Sequence, residues 1–331
     1  MVLWQYILRR LILAVGTLLV ISLMAFIIIQ LPPGDFLSTQ ITTLRMRGAQ
    51  VDQDMIKALE KEYGLDKPLP MQYLWWMWQM MHGKFGVSLE WKRPVLDLIM
   101  ERLPLTILVS GASLLFVYLL AIPIGVYSAV KQYSVGDYMA TVFGFIGMAT
   151  PNFLLALILM WFMFSTFGVS VGGLFSQEYL TQPMSWGKFV DLLKHLPVPI
   201  IVVGMAGTAG LIRVMRGGML DELRRQYVTT ARAKGVAEKK LLTKYPMRVA
   251  LNPIVSTVGW QLPAIVSGET ITSIVLGLPT TGPLLYRSLQ SQDMYMAGSI
   301  IMFLSALTVI GTLLSDILLA VLDPRIRFEG K

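Results

Sequence analysis

The chain has no cysteine, and only two histidines among its 331 residues. The first absence removes disulfides, thiolate metal sites and cysteine nucleophiles together, and it leaves the redox compartment undetermined. The second leaves His82 and His195 too far apart for an HExxH metal site. Charge is scarce too, at 15% of the chain against 55% hydrophobic residues. A mean hydropathy of +0.62 lies far outside the soluble average and excludes an ordinary globular enzyme. A nucleotide site is also missing. The nearest approach to a P-loop, Gly277 to Gly282, meets GxxxxG but continues with Pro283 and Leu284 where lysine and a hydroxyl residue are needed.

What the chain has instead is apolar length. Six stretches, 11–31, 104–130, 138–166, 196–215, 253–277 and 298–322, are each long enough to cross a hydrocarbon layer of roughly 30 Å, which takes about 20 helical residues. The first follows Arg9 and Arg10 as a secretory signal would. It is too long for one, and PPGDF stands where a small-residue cleavage site belongs, so a retained span is expected. With Arg9 and Arg10 inside, the cytoplasmic segments hold 16 lysines and arginines and the two short outer loops hold three. That asymmetry places both termini in the cytoplasm. The net charge of +8 is then mostly a topology signal, and no nucleic-acid partner is expected.

The organisation expected is residues 1–31 as N-terminus and first span, 32–103 as an extracytoplasmic segment, and 104–331 as a five-helix core. The outer segment carries nine basic and nine acidic residues. Its stretch VDQDMIKALEKEYG has Val51, Met55, Ile56, Leu59 and Tyr63 at helical spacing and a glycine stop at Gly64. Trp75, Trp76 and Trp78 follow, and two readings fit them: anchors at the lipid headgroups, or a surface for sugar or partner stacking.

From the end of the fourth span to the fifth, ten lysines and arginines, Arg213 to Arg248, face three acids. The run MLDELRRQYVTTARAKG has Leu220, Leu223, Tyr227 and Ala231 at spacings of three and four, which predicts one amphipathic helix ended by Gly235. A second helix is expected from Glu238, interrupted before Pro246 and Pro253. The charges alone fit a helix lying on anionic lipid. The small residues Ala231, Ala233 and Gly235 fit a knob that another protein approaches closely.

The run TTARAKG, Thr229 to Gly235, resembles the cytoplasmic EAA loop of ABC importer permeases, and YVTTARAKG is similar in particular to their dipeptide and oligopeptide branch. The resemblance runs from end to end, through YILRR with a long span and PPGD, then YGLDKPLPMQY, RPVLDLIMERLPLT, IPIGV, TPNFLLAL, RGGMLDELRRQYV, SGETI and LDPRIRF. Thr229 replaces the glutamate that names the loop and Thr230 its first alanine, Pro246 is unusual for the branch, and GLPTTGPL departs from the commoner pattern after the fifth span.

This resemblance implies an all-α polytopic protein with the six transmembrane helices of the type I ABC importer permease fold, in a bacterial or archaeal cytoplasmic (inner) membrane. It implies a second homologous permease, two ATP-binding subunits that hold ATP and Mg, and an extracytoplasmic solute-binding protein, with membrane lipid around the spans. No cofactor is expected in this chain, and the chain is not expected to be an enzyme. Tyr227, Thr229, Ala231, Ala233, Lys234, Gly235 and Glu238, within a loop at 216–252, are the residues implied to couple to the ATPases. Peptides are the implied cargo, with oligosaccharides and nickel chelates carried by some relatives.

Two acids, Glu269 and Asp316, lie inside apolar spans, where charge is costly and faces a bundle interior, water or a partner. Glu269 and Asn152, the latter beside Pro151, fit a translocation path or a purely structural role. A proton-coupled secondary transporter would use the same two acids, but it leaves the basic loop and the long outer segment unexplained.

Overall fold

A computed structural model describes residues 3–31 and 67–322, apart from the side chains of 3–7, 260, 262–269 and 318–322. The helix expected over 51–64 and, after Leu322, the rest of the closing LDPRIRF lie outside the described residues. The described chain is helical: α1 Leu3–Gln30, α2 Leu69–Met81, α3 Val95–Val130, α4 Val135–Ala149, α5 Asn152–Phe167, α6 Trp186–His195, α7 Pro197–Leu223, α8 Gln226–Ala233, α9 Glu238–Lys244, α10 Pro246–Leu276, α11 Thr281–Gln290 and α12 Met294–Leu322.

Among the described residues four helical stretches are long and apolar enough to cross a membrane: Leu8–Gln30, Val95–Val130, Trp186–Leu223 and Met294–Ile317. They match the first, second, fourth and sixth expected spans. The third, expected as one span over 138–166, is two helices instead. α4 and α5 are bent by 106° at a short break. The cause is Pro151, which lacks an N–H and pushes Thr150 out of the helical region, to φ −89° and ψ 119°. α10 occupies the fifth expected position: the interruption expected before Pro246 is present, at Tyr245, but the helix then runs through Pro253, so the one expected there is absent. Proline opens both α7 and α10, in the first turn, where its missing N–H costs no intrahelical hydrogen bond.

The chain divides into two compact units. One consists of Leu105–Pro279 with Met1–Leu8 and Thr308–Lys331. Its core joins Val117 and Ala121 of α3, Leu211, Met215 and Met219 of α7, and Ala250 and Ile254 of α10. Glycines let α3 and α7 approach closely: a Cβ at Gly125 would lie 2.6 Å from Met215 Cβ, and one at Gly204 would lie 2.8 Å from a Phe116 ring carbon. Hydroxyls tie the helices further. Tyr118 and Thr257 pair at 2.7 Å, and Ser315 donates to the Val255 carbonyl at 3.0 Å.

The other unit consists of Arg9–Pro104 and Thr280–Leu307. Its core gathers Phe26 of α1, Trp76 of α2, Val95 and Ile99 of α3, and Met296 and Ile300 of α12. Trp76 is buried, stacked near Phe26 and pressed against Gly298, where a Cβ would lie 2.6 Å from the indole. The three tryptophans therefore do not act as one belt: Trp76 is core, while Trp75 and Trp78 are exposed. Asp293, fully buried, accepts from Ser88 Oγ at 2.5 Å and from the amides of Glu90 and Met296 at 3.1 Å, fastening the 88–93 turn to the start of α12. Burial pushes its carboxyl above the ordinary range, against the pull of these donors.

Candidate coupling hairpin

The basic segment is a compact helical hairpin. α7 ends at Leu223, Arg225 turns extended at φ −71° and ψ 144°, and its carbonyl takes the amides of Val228 and Thr229 to start α8. One amphipathic helix over 219–235 is therefore two. Leu220 and Leu223 belong to the end of α7, and the inward face of α8 is Val228 and Ala231, which meet Leu241 of α9 in a small core ringed by Val236, Leu242 and Tyr245.

The turn between α8 and α9 is a Schellman motif. The Gly235 amide donates to the Arg232 carbonyl at 3.0 Å and the Val236 amide to the Ala231 carbonyl at 3.2 Å. Gly235 takes the left-handed φ of +74° that this closure needs, and nothing lies within 4 Å of where a Cβ would stand. Across the turn Arg232 grips Glu238 with two hydrogen bonds, 2.6 and 3.2 Å. The guanidinium holds the Glu238 carboxyl below the ordinary glutamate range, and the carboxylate raises Arg232 in return. The Tyr227 hydroxyl donates to Glu222, and partial burial together with that carboxylate pushes it up to about 12, so it stays a neutral donor.

Thr229, Ala233, Lys234, Gly235 and Glu238 are all exposed around this turn, and Tyr227 is exposed at the α8 entrance. Ala231 is not: it is 8% exposed and faces the hairpin core. Its smallness fits α8 onto α9 and does not offer a surface. Asn152 belongs instead to the bent pair, half-buried as the first residue of α5. The backbone of Glu269 lies in α10, and its side chain is outside the described residues. Asp316 is half-buried in α12.

The sequence reading missed the ion pair at the hairpin's root. Arg216 of α7 grips Asp137 of α4 in bidentate fashion, Nε to Oδ1 at 2.9 Å and Nη2 to Oδ2 at 2.8 Å, and Asp137 is buried. Asp137 also accepts the Tyr133 amide at 2.9 Å, while its own amide donates to Ser134 Oγ at 3.3 Å. Placing a span start at 138 hid this acid. A lone aspartate three residues after a serine, at the head of an apolar run, is the available signal.

Two other patterns resolve without chemistry. Gly168-Val169-Ser170-Val171-Gly172 spells the GxSxG of a hydrolase elbow, but it follows helix α5 without the strand-to-helix turn that projects such a serine. Among the described residues no group of three histidine, aspartate or glutamate side chains is placed to hold a metal ion.

Known families decide what this arrangement belongs to. The family described as binding-protein-dependent transport system inner membrane component matches residues 121–328, and the N-terminal family of the same membrane components matches 3–110. The chain is a member of this family. It is 36% identical over 324 residues to the oligopeptide transport system permease protein AppB of Bacillus subtilis, covering 98% of this chain and 99% of that one. It is 29% identical over 342 residues to the dipeptide transport system permease protein DppB of Escherichia coli K12, with the same coverage. In fold it is similar to a chain of the MetNI methionine ABC transporter in an inward-facing conformation, with a TM-score of 0.54 and 15% identity over 70% of this chain and 98% of that one. The resemblance to peptide importer permeases carried by TTARAKG and its companion blocks is therefore borne out. The chain is a multi-pass permease component of a binding-protein-dependent ABC importer.

Proposed function

We propose that this chain forms, with a second homologous permease, the path of an importer for di- and oligopeptides. Two ATPases act on its 226–244 hairpin, and a solute-binding protein delivers cargo from outside. The observation that carries the coupling role is the turn itself: a hairpin closed on its own core, with an open left-handed glycine at its tip and exposed small and basic residues around it. Six crossings, counting α10 and the bent pair, put both termini and the hairpin in the cytoplasm and 32–103 outside. The distribution of lysine and arginine supports that orientation. ATP and Mg belong to the partner subunits. Peptide cargo is supported by the names of the relatives; an oligosaccharide cargo in the same importer class is the alternative. Glu269 and Asn152 line the path in this proposal, motivated by a carboxyl at membrane depth and a polar residue at a helix break.

The test is ATP hydrolysis and peptide uptake by the assembled complex in liposomes. Gly235→Ile leaves the permease inserted, since no described residue lies within 4 Å of a Cβ there, but it obstructs a cleft that receives the turn and strains the positive φ. Hydrolysis is expected to be uncoupled from uptake. Normal coupling in that variant, with failure when Lys239, Lys240 and Lys244 are neutralised together, would instead assign the segment to lipid binding. In the same assay Glu269→Gln should slow uptake in a complex that still assembles; normal uptake, or loss of assembly, removes Glu269 from the path.

A further inference from the structure

Two cavities of the larger unit share part of their lining. The bigger, of about 640 Å³, is a groove walled by α3, α4 and α7, with Phe116, Leu120, Met139, Phe143, Met205 and Ile212 among its apolar lining. The smaller, of about 170 Å³, is lined by Arg213 and Arg216 beside Thr141 and Phe145. They share Ala140, Gly144, Ala209 and Ile212, so a single wall passes from apolar side chains to a cationic end.

The two arginines differ in what they hold. The guanidinium of Arg216 is engaged by Asp137. Arg213 is exposed, lies 5.4 Å from the centroid of the Phe145 ring, has the Met148 sulfur at 3.6 Å, and makes no ion pair among the described residues. It sits within the Trp186–Leu223 stretch that is long and apolar enough to cross a membrane, where a lone cation calls for a counter-charge.

A phospholipid matches both ends of this wall. Its phosphate accepts a guanidinium through two parallel hydrogen bonds. Its acyl chain matches a groove whose volume falls within the roughly 300–1,000 Å³ of small-molecule sites. An apolar helix would fill the groove but leave the Arg213 charge against hydrocarbon. A zwitterionic headgroup would bring a second cation to an end that already carries an unneutralised one. We propose that this face binds one anionic phospholipid, with its phosphate on Arg213 and an acyl chain between α3, α4 and α7. The site rests only on the chain's being embedded in a membrane, and it is independent of the coupling and cargo proposed above.

The experiment takes the assembled importer from nanodiscs of equal phosphatidylglycerol and phosphatidylcholine with identical acyl chains, and counts retained lipids by native mass spectrometry. Phosphatidylglycerol is expected to be enriched. Arg213→Gln should cut that enrichment about tenfold, the scale of one charge-assisted hydrogen-bonded contact, while Arg213→Lys, which keeps the charge but not the paired hydrogen bonds, keeps part of it. Ala140→Phe should lower retention of both lipids by filling the groove. A photo-crosslinking residue at position 143 should capture lipid. Equal retention of the two lipids by the unaltered chain, or undiminished enrichment in Arg213→Gln, overturns the proposal. So does capture of the second permease at position 143, which would make the groove a helix-docking face. Where Arg213→Gln fails to assemble, unchanged phosphatidylglycerol retention in Ala140→Phe overturns it.

Discussion

Ala231 and Gly235 stand four residues apart in one motif and serve opposite sides of it. Ala231 packs inward on Leu241, and Gly235 opens outward at the turn. Both are small, but the first is small because α9 is close and the second because φ is positive. The Arg232–Glu238 clasp across the same turn has a pH window set by the direction of its shift. With the Glu238 carboxyl depressed, the clasp is fully present above the ordinary glutamate pKa and is lost only as pH falls through the lower folded value. It therefore holds throughout the neutral range. Asp137 carries more. Asp137→Ala strands the Arg216 guanidinium and frees the Tyr133 amide, and it is expected to cost about 2–3 kcal/mol, below the 3–5 of a fully buried pair because Arg216 is partly exposed. Asp137→Asn, which keeps an acceptor, should cost less. Thermal unfolding of the purified complex in detergent checks the order; equal midpoints for all three proteins would remove the pair from the stability of the fold.

Among the helices, those marked by composition were legible and those marked by packing were not. Apolar runs announced α1, α3, α7, α10 and α12 because lipid solvation depends on composition alone. Gly235 announced its own turn because glycine takes a left-handed φ at the least steric cost. The break at Arg224 and Arg225 left no such mark. It contains neither glycine nor proline, and the spacing of Leu220, Leu223, Tyr227 and Ala231 continues across it, so periodicity joined two helices that tertiary contacts separate. The tryptophans show the same limit. Only the approach of Phe26 and Gly298 selects Trp76 for the core, and nothing in YLWWMWQ marks it out. Trp76→Ala should therefore destabilise by about 3–5 kcal/mol, while Trp78→Ala, at an exposed position, should stay within about 0.5 kcal/mol. Detergent unfolding curves for the two variants make the comparison, and similar midpoints would contradict the burial of Trp76.

For the whole chain, the proposed sidedness is directly measurable because the natural sequence has no cysteine to replace. Single cysteines at Gln53 and Lys239, treated with an impermeant thiol reagent in intact cells, should label only at the first site. Labelling at both, or only at Lys239, would refute the orientation. The bend at Pro151 makes this experiment sharper than it looks. At 1.5 Å per residue, the 15 residues of α4 and 16 of α5 are about 22 and 24 Å long, and folded through 106° they reach about 28 Å from end to end. That is barely the thickness of the hydrocarbon layer, roughly 30 Å. The number of crossings before the hairpin is even only when this pair passes from one face to the other. A pair that turned back would make it odd and carry the hairpin, with every residue that could meet an ATPase, to the outer surface. In the proposed topology, whether the pair bent at Pro151 crosses or turns back therefore sets the parity of the chain, and with it the compartment the hairpin faces.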